Sequence, residues 1–121
     1  MADRLLLITW GATVRGREAR ALEVFNTAIG FYGRLQHEGR IESFDVALLA
    51  PTGAGIRGLV QLRGSAEQLA ALREDDDFVR ITVDAQLIVD ELALVDGYTG
   101  QGVADQMLVY QAAIAQVPQA V

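Results

Sequence analysis

Three observations in this 121-residue chain predict an α+β sandwich. They are the order of its patterned segments, the switching of the apolar period between two and three-to-four residues, and the glycine clusters between segments. A strand-like run precedes one long amphipathic helix. A two-strand hairpin follows, then a helical region broken by an Asp run, a last strand and a closing helix. That β-α-β-β-α-β order specifies a split βαβ, ferredoxin-like sandwich, here with an extra C-terminal helix and spanning residues 1–121 as one domain.

Leu5-Leu6-Leu7-Ile8-Thr9-Trp10 is apolar on both alternating faces, as expected of a strand covered on both sides, and Gly11 and Gly16 mark its exit. From Arg17 to His37, Ala21/Leu22, Phe25, Ala28/Ile29, Tyr32 and Leu35 recur at helical spacing and form one stripe. Glu18 at its start and Arg34 and His37 at its end suit the helix dipole, and Gly39 is a natural stop. Gly30 and Gly33 inside this helix fit either close packing on the sheet or room for a ligand beside Tyr32.

Ile41–Ala50 reads as the second strand, Pro51-Thr52-Gly53-Ala54-Gly55 as a turn and Leu59–Arg63 as the third strand. A hairpin centred near Ala54 sets Asp45 opposite Arg63 and Ala47 opposite Gln61. Ser65-Ala66-Glu67-Gln68 is a capping box that opens a helix to about Arg73. Asp75-Asp76-Asp77 can cap a second short helix, Phe78 to about Gln86. Leu87–Val95 is the expected fourth strand, with Asp90 and Glu91 on opposite faces. Gly97, Gly100 and Gly102 precede the last helix. Its stripe of Val103, Met107, Tyr110, Ile114 and Val117 needs its own sheet or a partner subunit to bury it, and Pro118 ends it.

Composition removes whole classes of chemistry. The formal charge of −6, without a basic stripe, argues against nucleic-acid binding. All ten basic residues are Arg, so a lysine Schiff base and a Walker-type phosphate-binding Lys are excluded. With no Cys, disulfides and thiolate chemistry drop out. The apolar fraction of 51% and mean hydropathy of +0.24 are high for a small monomer and suggest a second buried face, as in an oligomer. The start lacks a basic n-region, and no run reaches the roughly 20 apolar residues that span a bilayer, so the expectation is a cytoplasmic protein that does not enter a membrane.

The motifs are weak. Gly53-Ala54-Gly55-Ile56-Arg57-Gly58 spells G-x-G-x-x-G, but it leads into a strand rather than a helix and reads as a hairpin turn. Asp75-Asp76-Asp77 lacks the alternation of a calcium loop. Ser43 and Ser65 are the only serines, and neither sits in a nucleophile elbow. His37, the only histidine, cannot build a His-based metal cluster. It reads either as a helix-end histidine satisfied locally or as a general acid or base oriented by Glu38, Glu42 or Asp45. Trp10, Tyr32 and Phe44 read either as core or as the lining of an apolar pocket.

Leu5–Trp10, the helix end Phe31-Tyr32-Gly33-Arg34-Leu35, the hairpin, Arg63-Gly64-Ser65-Ala66-Glu67-Gln68-Leu69 and the Asp75-Asp76-Asp77-Phe78 break together give a resemblance covering nearly the whole chain. The chain resembles the dimeric α+β barrel superfamily, and within it short bacterial proteins of no assigned function. The resemblance implies a homodimer in which two sheets face each other, with Asp45, Gln61 and Arg63 at the interface. It also implies a ligand site between helices and sheet. Cofactor-independent monooxygenases, haem enzymes and lactone isomerases occur in the superfamily. His37 matches neither the His–Asp pair of one branch nor the axial histidine of the haem members, and no catalytic residue carries over. The expectation is a site for an apolar or aromatic small molecule, shaped by Trp10, Tyr32 and Phe44, with His37 moving protons and no cofactor. A non-catalytic interaction module is the alternative.

Overall fold

The computed structural model describes residues 2–50 and 55–118. The expected turn residues Pro51-Thr52-Gly53-Ala54 lie outside the described residues. The elements run β1 (Arg4–Trp10), α1 (Glu18–His37), β2 (Ser43–Leu48), β3 (Gly58–Gly64), α2 (Ala66–Arg73), α3 (Asp76–Gln86), β4 (Ala93–Tyr98) and α4 (Gln101–Ala115). The four strands form one sheet in the order β2-β3-β1-β4, every neighbouring pair antiparallel. The two crossovers place α1, α2 and α3 on one face.

Strand alternation decides what meets the helices. Leu6 and Ile8 of β1 and Val60 and Leu62 of β3 point to the helical face and are buried with Phe31, Tyr32, Leu35, Leu69, Leu72 and Phe78. Leu6, Leu35, Ile41 and Leu62 are the largest side chains fully removed from solvent. Each such side chain contributes about 1.5–3 kcal/mol relative to exposure. The opposite face carries Leu5, Leu7 and Thr9, all half-buried, beside Leu59 and the exposed Val95. Within one protomer no described helix covers these residues, although β1 is apolar on both sides.

Helix ends follow their expected signals. Ser65 and Gln68 form the reciprocal capping box of α2, at 3.1 and 2.8 Å. The Asp75 carboxylate accepts from the Phe78 N–H at 3.0 Å as the N-cap of α3, and from Arg40 Nη2 at 2.6 Å. The Arg40 guanidinium, and then the Phe78 N–H, hold its carboxyl below the usual carboxylate range. Gly39 takes a positive φ of 73° just past α1, a conformation that costs glycine little.

Three expectations need correction. The hairpin register sets Asp45 opposite Gln61 and Ser43 opposite Arg63, so the strands are shifted by two residues. A two-residue shift preserves which face each side chain occupies. Arg63 therefore still reaches the Asp45 carboxylate diagonally, and it also donates to Gln61 Oε1 at 2.7 Å. The fourth strand begins at Ala93, not Leu87. Residues 88–90 do pair, but with the chain leaving β1: Val14 N–H donates to Ile88 C=O (2.8 Å), Gly11 N–H to Asp90 C=O (2.7 Å) and Asp90 N–H to Ala12 C=O (2.8 Å). Asp90 and Glu91 are both exposed there, and Gly97 lies inside β4.

Gly30 and Gly33 provide neither close packing nor ligand space. A Cβ at Gly33 would meet no atom within 4 Å, and one at Gly30 only Arg34 Nη1 at 3.9 Å. Replacing each by Ala removes the backbone-entropy cost of glycine in a helix interior. Gly30→Ala and Gly33→Ala are each expected to raise stability by about 0.5–1 kcal/mol, measured as a higher urea midpoint at unchanged slope.

Candidate functional site

A cavity of about 380 Å3 lies between α1, α3 and the end of the sheet where β1 and β2 finish. Its floor is Ile8 and Val60 of the sheet. One wall is the α1 face Ala21, Val24, Phe25, Ala28, Ile29 and Tyr32, and the other is Ile81, Thr82 and Ala85 of α3 with Ile88, Val89 and Leu92. The exposed Leu22 and Leu48 stand at the rim. Two ties hold the walls apart at fixed spacing. Arg17 Nη1 donates to the Leu87 carbonyl at 2.6 Å, joining the start of α1 to the end of α3. The pairing of residues 11–14 with 88–90 closes the end of the cavity.

Trp10 and Tyr32 line this cavity, and Phe44 does not. Phe44 instead supports Tyr32 from the sheet, ring centroids 6.0 Å apart in an edge-on arrangement. Trp10 meets Phe25 edge-on at 6.2 Å, so two aromatic rings shape the wall near the rim. His37 is exposed at the far end of α1 and does not line the cavity. Five residues beyond Tyr32, it sits about 140° around the helix from it. Two of the carboxylates expected to orient it make other arrangements: Asp45 pairs with Arg63, and Glu38 lies 3.9 Å from Arg40.

The wall residues of α3 and of the segment after it were not legible as site residues. Thr82 and Ala85 carry no chemical signature. Ile88 and Val89 look like strand residues, and only tertiary pairing brings them to the cavity. Glu18 is a further lining residue, read from sequence only as a helix-dipole match. Its Oε1 accepts from the Gly16 N–H at 3.0 Å, which with its own N–H lowers its pKa and keeps it a carboxylate.

Tyr32 is the buried polar residue of the site, 4% exposed. Its hydroxyl makes no hydrogen bond among the described residues, yet no side-chain polar atom among them is sealed from solvent without a partner. The hydroxyl therefore keeps some contact with solvent, and Tyr32 lines the cavity. Burial pushes its pKa from 10.0 up to about 12. The phenol is thus a neutral donor at any physiological pH. As pH rises, the unfolded chain releases this proton first. The stability Tyr32 contributes is complete below pH 10 and is lost between 10 and about 12. The loss is at most about 1.4 kcal/mol per pH unit. Urea unfolding from pH 9 to 11.5 is expected to show a shallower decline for Tyr32→Phe than for the parent protein.

No protein-family model matches this sequence, and no curated protein sequence does. Solved structures do. A dimeric ferredoxin-like protein of unknown function from Jannaschia sp. CCS1 superposes with a TM-score of 0.63 at 12% identity, over 79% of this chain and 98% of its own. The chain has a ferredoxin-like fold. Its split βαβ order and 2-3-1-4 sheet agree with that likeness. Other solved neighbours are named as enzymes. The hydroxynitrile lyase of Passiflora edulis has a TM-score of 0.61 at 9% identity, covering 81% of this chain and 94% of its own. A cofactor-independent oxygenase from Streptomyces nogalater has a TM-score of 0.51 at 13% identity, covering 82% and 93%.

Proposed function

We propose that this protein is a cytoplasmic homodimer in which each protomer binds a small apolar or aromatic molecule in the cleft between α1, α3 and the sheet. The observation that carries this reading is the cleft: about 380 Å3, walled by aliphatic and aromatic side chains, with one buried phenol. Pockets of a few hundred Å3 with apolar walls and few polar groups are the usual form of small-molecule sites. The solved neighbours include both enzymes and proteins of unknown function, so the fold is compatible with either use.

The dimer reading rests on the sheet face opposite the helices. Leu5, Leu7, Thr9, Leu59 and Val95 form an apolar strip beside the Asp45–Gln61–Arg63 cluster. A second copy laid on this face would bury the strip and close a two-sheet barrel. Two of the solved neighbours are described as dimeric.

Catalysis in the cleft would be oxygenation or isomerisation of the cofactor-independent kind. The Tyr32 hydroxyl would donate to oxygen on which negative charge develops. A proton-carrying role for His37 requires a ligand that extends past the cleft to the far end of α1. The non-catalytic alternative is favoured by one observation. In α4, Val103, Met107, Leu108, Val109 and Tyr110 are all about half exposed or more, an apolar surface suited to a protein contact.

Trp10 is the only tryptophan and lines the cleft, so its fluorescence is a built-in reporter. Titration with N-phenyl-1-naphthylamine, a neutral apolar fluorophore, is expected to show energy transfer from Trp10 that saturates at one probe per protomer. Absence of saturable transfer would remove the ligand-binding reading and leave the interaction module.

A further inference from the structure

We infer that the ligand of this cleft is uncharged and carries a carbonyl-type hydrogen-bond acceptor, held by the Tyr32 hydroxyl on the sheet side of an otherwise apolar site. This rests on the reading of the cleft as a ligand site. Tyr32 is 4% exposed and lines the cavity, and its hydroxyl has no hydrogen-bond partner among the described residues. The hydroxyl is not sealed from solvent, so an acceptor brought by the ligand would take the place of water on it.

The other polar groups of the lining are already engaged or lie at the rim. The Thr82 hydroxyl donates to the Phe78 carbonyl at 2.8 Å. Thr13 is exposed. Glu18 is the only charged residue among the described lining residues, and no Arg accompanies it there. A carboxylate or phosphate ligand would meet a like charge with no cation to pair it, so the site selects against anions. Trp10 and Phe25, edge to face, leave a wall suited to a flat ring.

The test uses three compounds of similar shape: 2-acetylnaphthalene, 2-isopropenylnaphthalene and 2-naphthoate. Each is measured by displacement of N-phenyl-1-naphthylamine from the parent protein and from Tyr32→Phe. The substitution keeps the ring and removes an oxygen without a protein partner, so the fold is retained. The ketone is expected to bind about threefold to tenfold more weakly to Tyr32→Phe, the span of one net hydrogen bond. The isopropenyl compound, which has no acceptor, is expected to bind both proteins equally. The naphthoate is expected to bind the parent protein more weakly than the ketone does. Equal effects of Tyr32→Phe on ketone and hydrocarbon would overturn the acceptor assignment while leaving the cleft as a ligand site. Tighter binding of the naphthoate than of the ketone would overturn the uncharged-ligand assignment. Failure of the fluorophore itself to bind would remove the cleft reading together with this one.

Discussion

Leu7→Asp is expected to leave the protomer folded and to turn the proposed dimer into a monomer. Leu7 lies at the middle of β1, between Gln61 of β3 and Val95 of β4, on the face away from the helices. Its side chain is half-buried in the protomer, and the buried core residues Leu6 and Ile8 point the other way. The substitution therefore touches little of the core. Within a two-sheet barrel the same carboxylate would be taken out of water beside apolar side chains. An unpaired buried charge costs several kcal/mol, which at about 1.4 kcal/mol per tenfold weakens association by two orders of magnitude or more. Light scattering at micromolar concentration should give twice the 13.1 kDa chain mass for the parent protein and the single chain mass for the variant. A dimer that survives Leu7→Asp would move the interface elsewhere, with α4 the next surface to examine. The Asp45–Arg63 pair should matter much less. Its side chains are 63% and 32% exposed in the protomer, and exposed ion pairs are worth about 0–1 kcal/mol.

Gly58→Val should close the cleft. Gly58 opens β3 directly under the Trp10 indole. A Cβ there would stand 2.4 Å from Trp10 Cζ2 and 2.7 Å from Cε2. Real side chains do not tolerate such distances, so either the strand or the indole must move. The strand is pinned on both sides, to Leu48 of β2 and to Trp10 of β1. The indole is the part free to rotate, and the space available to it is the cavity it lines. Overpacking of this kind costs about 1–3 kcal/mol. The expected result is a lower urea midpoint, a shifted Trp10 emission and loss of N-phenyl-1-naphthylamine binding. Binding that persists at parental affinity would mean that Trp10 does not bound the site.

Most of the fold was legible because its signals are local. The capping box at Ser65, the Asp75 cap, the Gly39 stop and the period switch at Arg17 each depend on a few adjacent residues. The misplaced fourth strand shows the limit of that reading. Ile88 and Val89 are apolar, and residues 88–90 pair with another segment, as a strand does, but their partner is the exit of β1 rather than the sheet. Periodicity reports burial and says nothing of which neighbour provides it. Stripe reading on α1 held for the buried Tyr32 and Leu35 and for Ala28 and Ile29 packed on the core, and was incomplete at its edges. Leu22 was placed on the buried stripe and stands 62% exposed at the cavity rim, while Val24 and Phe31, off that stripe, are buried.

Of the cleft's lining, only Trp10 and Tyr32 were legible as candidate site residues. Trp10 and Tyr32 could be proposed because large rings at the end of a strand and on an apolar helix face are common pocket walls. His37 drew attention as the lone titratable imidazole, but helix geometry turns it away from the cavity. Glu18 could not be singled out, since an acidic residue in a first helical turn is explained by the dipole alone. That Tyr32 finds no hydrogen-bond partner among the described residues is a property of its tertiary surroundings and leaves no trace in the residue pattern.

Native mass spectrometry after incubation with 2-acetylnaphthalene tests the central claim most directly, comparing the parent protein with Ala28→Phe. Ala28 lines the cleft from α1, so a phenyl group there fills the space without touching the opposite sheet face. The parent protein should appear as a dimer carrying two ligands, and Ala28→Phe as a dimer carrying none. Equal ligand occupancy in the two proteins, or none in either, would contradict the assignment of the cleft between α1, α3 and the sheet as the ligand site.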